Sequence, residues 1–151
     1  MTAVKQAERT EVAGVCGRIL VADDEPGIRM MMQRMLGDYH EVVAVGSGRE
    51  ARAILEQDRS FDLILCDLMM PDVTGMELHA WLAEQNPALA ARMVFITGGA
   101  FTPKAAQYVA QAGNRCVDKP FDAAKVKKMA AELVLASSRS APTDDIVAEF
   151  K

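Results

Sequence analysis

The chain has 151 residues, of which 50% are hydrophobic and 25% charged, and its formal net charge is −4. This composition is typical of an ordinary globular protein of one domain, and the acidic balance argues against a nucleic-acid surface, which needs a basic face. No run approaches the roughly 18 apolar residues of a membrane span, and residues 1–6 lack the apolar stretch of a signal peptide, so no membrane contact is expected.

The first half of the chain predicts two strand–helix units after a weakly patterned segment, residues 1–16, which we expect to be a leader or a linker. The first strand is Arg18–Ala22, and Pro26 begins a helix. The apolar positions of that helix recur every three or four residues, and they are Ile28, Met31, Met32, Met35 and Leu36. The second strand, Glu41–Val45, precedes a helix that carries Ala51, Ile54 and Leu55.

The second half predicts three more units. A strand at Asp62–Cys66 leads to Asp67, and the helix that follows carries Met76, Leu78, Trp81 and Leu82 and closes at Asn86-Pro87. The fourth strand ends at Thr97, and Thr102 with Pro103 begins a helix that ends near Gly113. The fifth strand is Arg115–Asp118, the last helix runs from about Asp122 to Ala136, and residues 137–151 are expected to be a flexible tail.

These elements predict an α/β fold for residues 17–136. Short, continuously apolar runs suit parallel strands that are buried on both faces. Helical crossovers between such strands place helices on both faces of one parallel sheet, which is a doubly wound arrangement.

Polar side chains follow four of the apolar runs, at the carboxyl ends where open α/β sheets bind ligands. They are Asp23, Asp24, Asp67, Thr97 and Lys119. Crowded carboxylates repel each other, so they need a cation or a raised pKa, and oxygen ligands suit Mg²⁺. A lysine ammonium and a threonine hydroxyl beside them suit phosphoryl oxygens. The set predicts phosphoryl transfer, with Asp67 as the nucleophile.

Four segments carry a resemblance to the receiver domain of two-component response regulators, over about residues 17 to 136. They are residues 19–25, residues 62–75, residues 95–98 and residues 118–121. The resemblance implies a five-stranded, flavodoxin-like sheet of order 2-1-3-4-5. It also implies that Asp67 accepts a phosphoryl group from a histidine kinase or a phosphotransfer protein.

The resemblance further implies a role for each residue of the site. Asp24 and Asp67 would bind Mg²⁺ directly, Asp23 would act through water, and the backbone carbonyl of Met69 would be a further ligand. Thr97 and Lys119 would bind the phosphoryl group, and Lys119-Pro120 would be a cis peptide. Members of the family also pair as homodimers through their fourth and fifth helices.

The chain departs from the family pattern at several positions. Cys116 stands three residues before Lys119, where the family often carries an aromatic residue that turns inward when the threonine moves; Phe101 is a candidate for a partial replacement. Met69 and Gly99, two residues beyond Asp67 and Thr97, offer no side-chain group that can orient a water molecule by hydrogen bonding.

The run from Val94 to Pro103 resembles receivers at the C-terminal end of hybrid sensor histidine kinases. The chain is therefore interpreted as a stand-alone receiver or as one excised from such a kinase, and the second is favoured because residues 1–16 resemble a linker. Three cysteines without CxxC spacing favour buried thiols and a cytoplasmic location.

Two other functions stay open from the sequence. A degenerate receiver would act as an interaction module without phosphorylation. A phosphatase of the haloacid-dehalogenase type would also use an aspartyl nucleophile, but it requires a second aspartate two residues later, where this chain has Met69. A receiver catalyses its own phosphorylation and dephosphorylation without being a conventional enzyme.

Overall fold

Five strands form one sheet, and every neighbouring pair in it is parallel. The computed structural model describes residues 16–98 and 102–150, with side chains up to Ser137. The strands are β1 (Arg18–Ala22), β2 (Glu41–Val45), β3 (Leu63–Asp67), β4 (Met93–Thr97) and β5 (Cys116–Asp118). Their order is β2-β1-β3-β4-β5, so the predicted doubly wound topology and strand order are confirmed.

Six helices connect and flank these strands in the described part of the chain. They are α1 (Pro26–Leu36), α2 (Gly48–Gln57), α3 (Gly75–Gln85), α4 (Pro87–Ala90), α5 (Pro103–Ala112) and α6 (Ala123–Phe150). Side chains at the N-caps of α2 to α5 satisfy amides that helix starts leave unpaired. The Thr74 hydroxyl accepts from the Glu77 amide, and the Glu77 carboxylate accepts from the Thr74 amide, which completes a capping box at the start of α3.

Both faces of the sheet are covered by apolar helix faces. Helices α2 to α5 cover one face, where the cluster includes Leu20, Ile64, Phe95, Leu55 and Leu82. Helices α1 and α6 cover the other face, where the cluster includes Val21, Leu65, Ile96, Leu36 and Val126. All five residues of β3 and of β4 are buried, as expected for central strands covered on both sides.

The structure corrects several details of the sequence prediction. Met31 is 37% exposed, because it is next to Met32, and neighbouring positions on a helix point in different directions. Cys66 is buried, but Cys16 and Cys116 are exposed, so the expectation of buried thiols is wrong for two of the three cysteines. Cys16 precedes the first strand, and Cys116 lies on an edge strand that has one neighbour.

The ends of some elements also differ. Strands β3 and β5 each begin one residue later than predicted. Helix α6 continues to Phe150, whereas the sequence predicted an end at Ala136, since local backbone hydrogen bonding can extend a helix past the turn that packs on the core. The expected leader falls almost entirely outside the described residues, as do Gly99 and Phe101. No helix of the described chain has the length and apolarity that crossing a bilayer requires.

Candidate functional site

The parallel pairing of β1 and β3 brings three carboxylates together at one end of the sheet. Ala22 and Cys66 are partners in the ladder, so the residues that follow them emerge side by side. Asp23, Asp24 and Asp67 each offer a carboxylate oxygen, and these oxygens lie within 4.8 Å of one another. Asp23 is fully buried and Asp67 is 6% exposed, whereas Asp24 is open to solvent.

Close packing of α3 fixes the backbone around Asp67. The Gly75 amide donates to the Leu68 carbonyl at 3.0 Å, and the Leu68 amide donates to the Ile96 carbonyl, also at 3.0 Å. A Cβ atom on Gly75 would lie only 2.5 Å from the Asp67 carbonyl oxygen, so a glycine is needed for this approach. The Met69 amide then donates to Asp67 Oδ1 at 3.3 Å, which orients the carboxylate.

One oxygen of Asp23 lacks a hydrogen bond although it is buried. Asp23 Oδ1 accepts from the Glu25 amide at 2.9 Å, but Asp23 Oδ2 has no hydrogen-bond partner among the described residues. Lys119 Nζ lies 3.3 Å from Asp23 Oδ2, at ion-pair distance but without hydrogen-bond geometry. Buried polar atoms are nearly always satisfied, so this orphaned oxygen is an observation in favour of a bound cation or an ordered water.

Lys119 contributes a positive charge close to Asp23 and Asp67. Its Nζ atom lies 2.8 Å from Glu25 Oε1 and 3.9 Å from Asp67 Oδ2, and its side chain is 15% exposed. The peptide bond Lys119-Pro120 is cis, as predicted. The ammonium is therefore placed between an exposed glutamate and the carboxylate cluster.

Two carboxylates of the cluster, those of Asp23 and Asp67, resist ionisation. Burial, and then the charge of Asp23, raise the pKa of Asp67 to about 6, despite the opposing effects of the Met69 amide and Lys119. Burial likewise raises the pKa of Asp23, although the Glu25 amide and Lys119 favour its charged form. Burial would lower the pKa of Lys119, but Glu25, Asp23 and Asp67 together outweigh it and raise the pKa. The cluster thus carries more negative charge than its surroundings stabilise.

Thr97 lies at the end of β4, and its hydroxyl is hydrogen-bonded to Asp118, for which the sequence predicted no role. The side chain is 2% exposed, and its Oγ1 donates to Asp118 Oδ1. Thr97 and Asp118 are also partners in the β4–β5 ladder, and the Lys119 amide donates to the Thr97 carbonyl at 2.8 Å. The order of the strands could have indicated this pair, but the register that aligns its two members could not be read from the sequence.

The structure therefore brings Asp23, Asp24, Asp67 and Lys119 together as expected. Glu25, which contacts Lys119, was missed as part of the site. The metal-binding role of the Met69 carbonyl and the phosphoryl-binding role of Thr97 stay predictions.

Comparison with known proteins gives a consistent set of relatives. Residues 19–131 match the family model described as the response regulator receiver domain. The chain is 33% identical over 128 residues to the sensory/regulatory protein RpfC of Xanthomonas campestris pv. campestris, an alignment that covers 82% of this chain and 17% of that protein. The chain thus spans about a sixth of the length of this curated relative.

Solved structures show the same fold. A CheY-like response regulator receiver domain protein from Methanospirillum hungatei superposes with a TM-score of 0.72 at 24% identity, covering 82% of this chain and 98% of the other. The signal receiver domain of a signal transduction histidine kinase from Syntrophus aciditrophicus superposes with a TM-score of 0.69 at 25% identity, covering 83% and 94%.

Proposed function

Since the chain belongs to the response regulator receiver domain family of two-component signalling, we propose that Asp67 accepts a phosphoryl group from the phosphohistidine of a histidine kinase or a phosphotransfer protein. One observation carries the proposal. A carboxylate at the end of the central strand lies among two other carboxylates, with a lysine ammonium 3.9 Å from its Oδ2. This set of charges suits a reaction in which positioning and charge neutralisation do most of the work.

The residues of the cluster fit a magnesium ion. Three carboxylates supply the hard oxygen ligands that Mg²⁺ prefers, and the orphaned Asp23 Oδ2 is an acceptor that such a site would satisfy. Asp24 and Asp67 would hold the ion directly, Asp23 through water, and Met69 through its backbone carbonyl. When bound, the ion neutralises negative charge on the carboxylates and on the incoming phosphoryl oxygens.

Asp67 acts as the nucleophile in this proposal. A carboxylate oxygen forms a bond to phosphorus as the bond between phosphorus and the donor imidazole nitrogen breaks. The electron pair of the broken bond stays on that nitrogen, which takes up a proton. With its pKa at about 6, Asp67 is mostly ionised at neutral pH and is therefore available to attack.

Lys119 and Thr97 would bind the oxygens of the transferred group. The ammonium of Lys119 lies between Glu25 and Asp67, so a short movement would exchange the exposed Glu25 carboxylate for a phosphoryl oxygen. Thr97 has one hydroxyl proton to donate to another oxygen.

Labelling with a small phosphodonor tests the proposal. Incubation with acetyl phosphate and Mg²⁺ should add one phosphoryl group per chain, detected by intact mass. Asp67→Asn should abolish the addition, as should excess EDTA. Asp118→Asn and Asp72→Asn should leave labelling in place, because neither residue belongs to the carboxylate cluster.

Absence of labelling in the wild-type protein with Mg²⁺ present, or persistent labelling of Asp67→Asn, would contradict the proposal. The first result would favour an interaction module that works without phosphorylation.

The relatives also support a proposal about context. RpfC is named a sensory/regulatory protein, and the receiver from Syntrophus aciditrophicus belongs to a histidine kinase. We propose that this receiver works within a hybrid sensor histidine kinase in the cytoplasm.

A further inference from the structure

We propose that Asp118 is a positioning residue that withholds the Thr97 hydroxyl from the phosphoryl site while Asp67 is unmodified, and that gives the hydroxyl up when the phosphoryl group arrives. This inference rests on the proposed function, because it assigns a regulator to the same site. Asp118 lies outside the carboxylate cluster, and it contacts the Thr97 hydroxyl, to which the proposed function assigns a phosphoryl oxygen.

The geometry holds this contact in place from two directions. Thr97 and Asp118 are directly paired across the parallel strands β4 and β5. The Lys119 amide donates to the Thr97 carbonyl at 2.8 Å, which fixes the alignment of the backbones. Because the Thr97 side chain is 2% exposed, water has little access to the hydroxyl itself, although the Asp118 end of the bond is exposed.

The Thr97 hydroxyl cannot donate to Asp118 and to a phosphoryl group at the same time. A threonine hydroxyl has a single proton to donate, and both the Asp118 carboxylate and a phosphoryl group on Asp67 are anionic acceptors. Hydrogen bonds to charged acceptors are the stronger ones, so neither partner is negligible. A contact between Thr97 and the phosphoryl group therefore requires that the bond to Asp118 break.

The exposure of Asp118 lowers the free energy that is needed to break its bond to the Thr97 hydroxyl. The residues of β5 alternate between exposed and half-buried, and Asp118 is one of the exposed ones. Water can therefore solvate its carboxylate once the hydroxyl has left. Cys116, on the same side of β5 by strand alternation, has no ring to follow the movement of Thr97. Asp118 is thus the residue of β5 whose hydrogen bonding changes when the Thr97 hydroxyl reorients.

A double-mutant cycle tests the inference. The probe is beryllofluoride with Mg²⁺, which mimics a phosphoryl group on an aspartate, and its apparent affinity is measured for wild type, Asp118→Val, Thr97→Val and the double variant. Asp118→Val should raise the affinity by about tenfold, the order expected for one hydrogen bond to a charged group. In the Thr97→Val background, the same change should have little effect.

The cycle separates withholding of the hydroxyl from simple removal of a negative charge. A charge effect persists without the Thr97 hydroxyl, so additive effects of the two substitutions would overturn the inference. Asp118→Asn keeps an acceptor oxygen and should give a smaller increase than Asp118→Val. Glu132→Gln, which removes a charge from the adjoining face of α6 near Arg115, should leave the affinity unchanged.

A second measurement works in the free protein and does not depend on phosphorylation. Scalar couplings to the Thr97 γ-methyl report its χ1 rotamer, and Asp118→Val should change the rotamer distribution. An unchanged distribution would overturn the inference whatever the binding result. If no variant binds beryllofluoride but the Thr97 rotamer responds to Asp118→Val, the proposed function fails. Asp118 then only anchors Thr97, and the proposed release of the hydroxyl to a phosphoryl group is overturned.

Discussion

Replacing Asp67 by asparagine should stabilise the metal-free protein near neutral pH. The carboxyl of Asp67 is almost fully buried beside Asp23, and its pKa is raised from 3.8 to about 6, first by burial and then by the charge of Asp23. The folded state therefore binds more protons than the unfolded state between about pH 4 and pH 6. Stability is lost as the pH rises through this window, and the loss is complete above it.

The size of the effect follows from the shift. A change of about two pKa units, at about 1.36 kcal/mol per unit, corresponds to about 3 kcal/mol of destabilisation at pH 7.5. Asparagine has the same shape without the charge, so Asp67→Asn should recover about 1–3 kcal/mol of unfolding free energy. For a domain of this size that is a rise in Tm of about 3–4 °C for each kcal/mol.

Urea denaturation followed by circular dichroism, in EDTA at pH 7.5 and at pH 4, measures this difference. The advantage of Asp67→Asn should be present at pH 7.5 and nearly absent at pH 4, where the Asp67 carboxyl of the folded wild-type protein is already protonated. Asp72→Asn is the matched control, since Asp72 is exposed and its φ of 66° suits asparagine as well as aspartate. An Asp67→Asn variant no more stable than wild type at pH 7.5, or one whose advantage does not depend on pH, would refute the reasoning.

Three further substitutions or additions probe the same site. Adding 10 mM Mg²⁺ should raise the unfolding free energy of wild type by about 1.4 kcal/mol if the site has millimolar affinity; a thermal melt with no shift would count against the metal site. Gly75→Ala should cost about 2 kcal/mol or more, because its Cβ would lie 2.5 Å from the Asp67 carbonyl oxygen, whereas Gly27→Ala, with nothing within 4 Å, should be neutral or stabilising. Chemical denaturation compares the two variants, and equal effects would contradict the packing argument. Lys119→Met should lower the melting temperature in EDTA, because it removes the ammonium that offsets Asp23 and Asp67; an unchanged melt would show that the ammonium does not offset their repulsion.

The sheet and the carboxylate cluster could be predicted because both depend on features local to each strand. Runs such as Leu63–Cys66 are apolar on both faces, and each is followed by a polar residue, so parallel packing must collect those residues at one edge. Asp23, Asp24 and Asp67 meet for this reason.

The features that sequence reasoning missed depend on alignment between distant elements. The bond between Thr97 and Asp118 follows from the register of β4 and β5, which no local pattern encodes. Likewise, the exposure of Met31 depends on how its helix is rotated about its own axis against the sheet, because the apolar stripe that includes Met31 and Met32 is wider than the face that the sheet covers.

The unequal anchoring of β4 and β5 has a consequence for motion. Strand β4 is buried along its whole length and is hydrogen-bonded on both sides, whereas β5 has three residues and one neighbour. Local opening therefore requires far less free energy at β5 than at β4. In hydrogen-exchange terms, the Lys119 amide, which bonds to the Thr97 carbonyl, should exchange well before the amides of β3 and β4. The two residues expected to bind the phosphoryl group therefore differ in mobility: Thr97 ends the firmly anchored strand β4, whereas Lys119 follows β5, the strand that opens more easily. The positive charge of the site is thus supplied from the more mobile of the two strands.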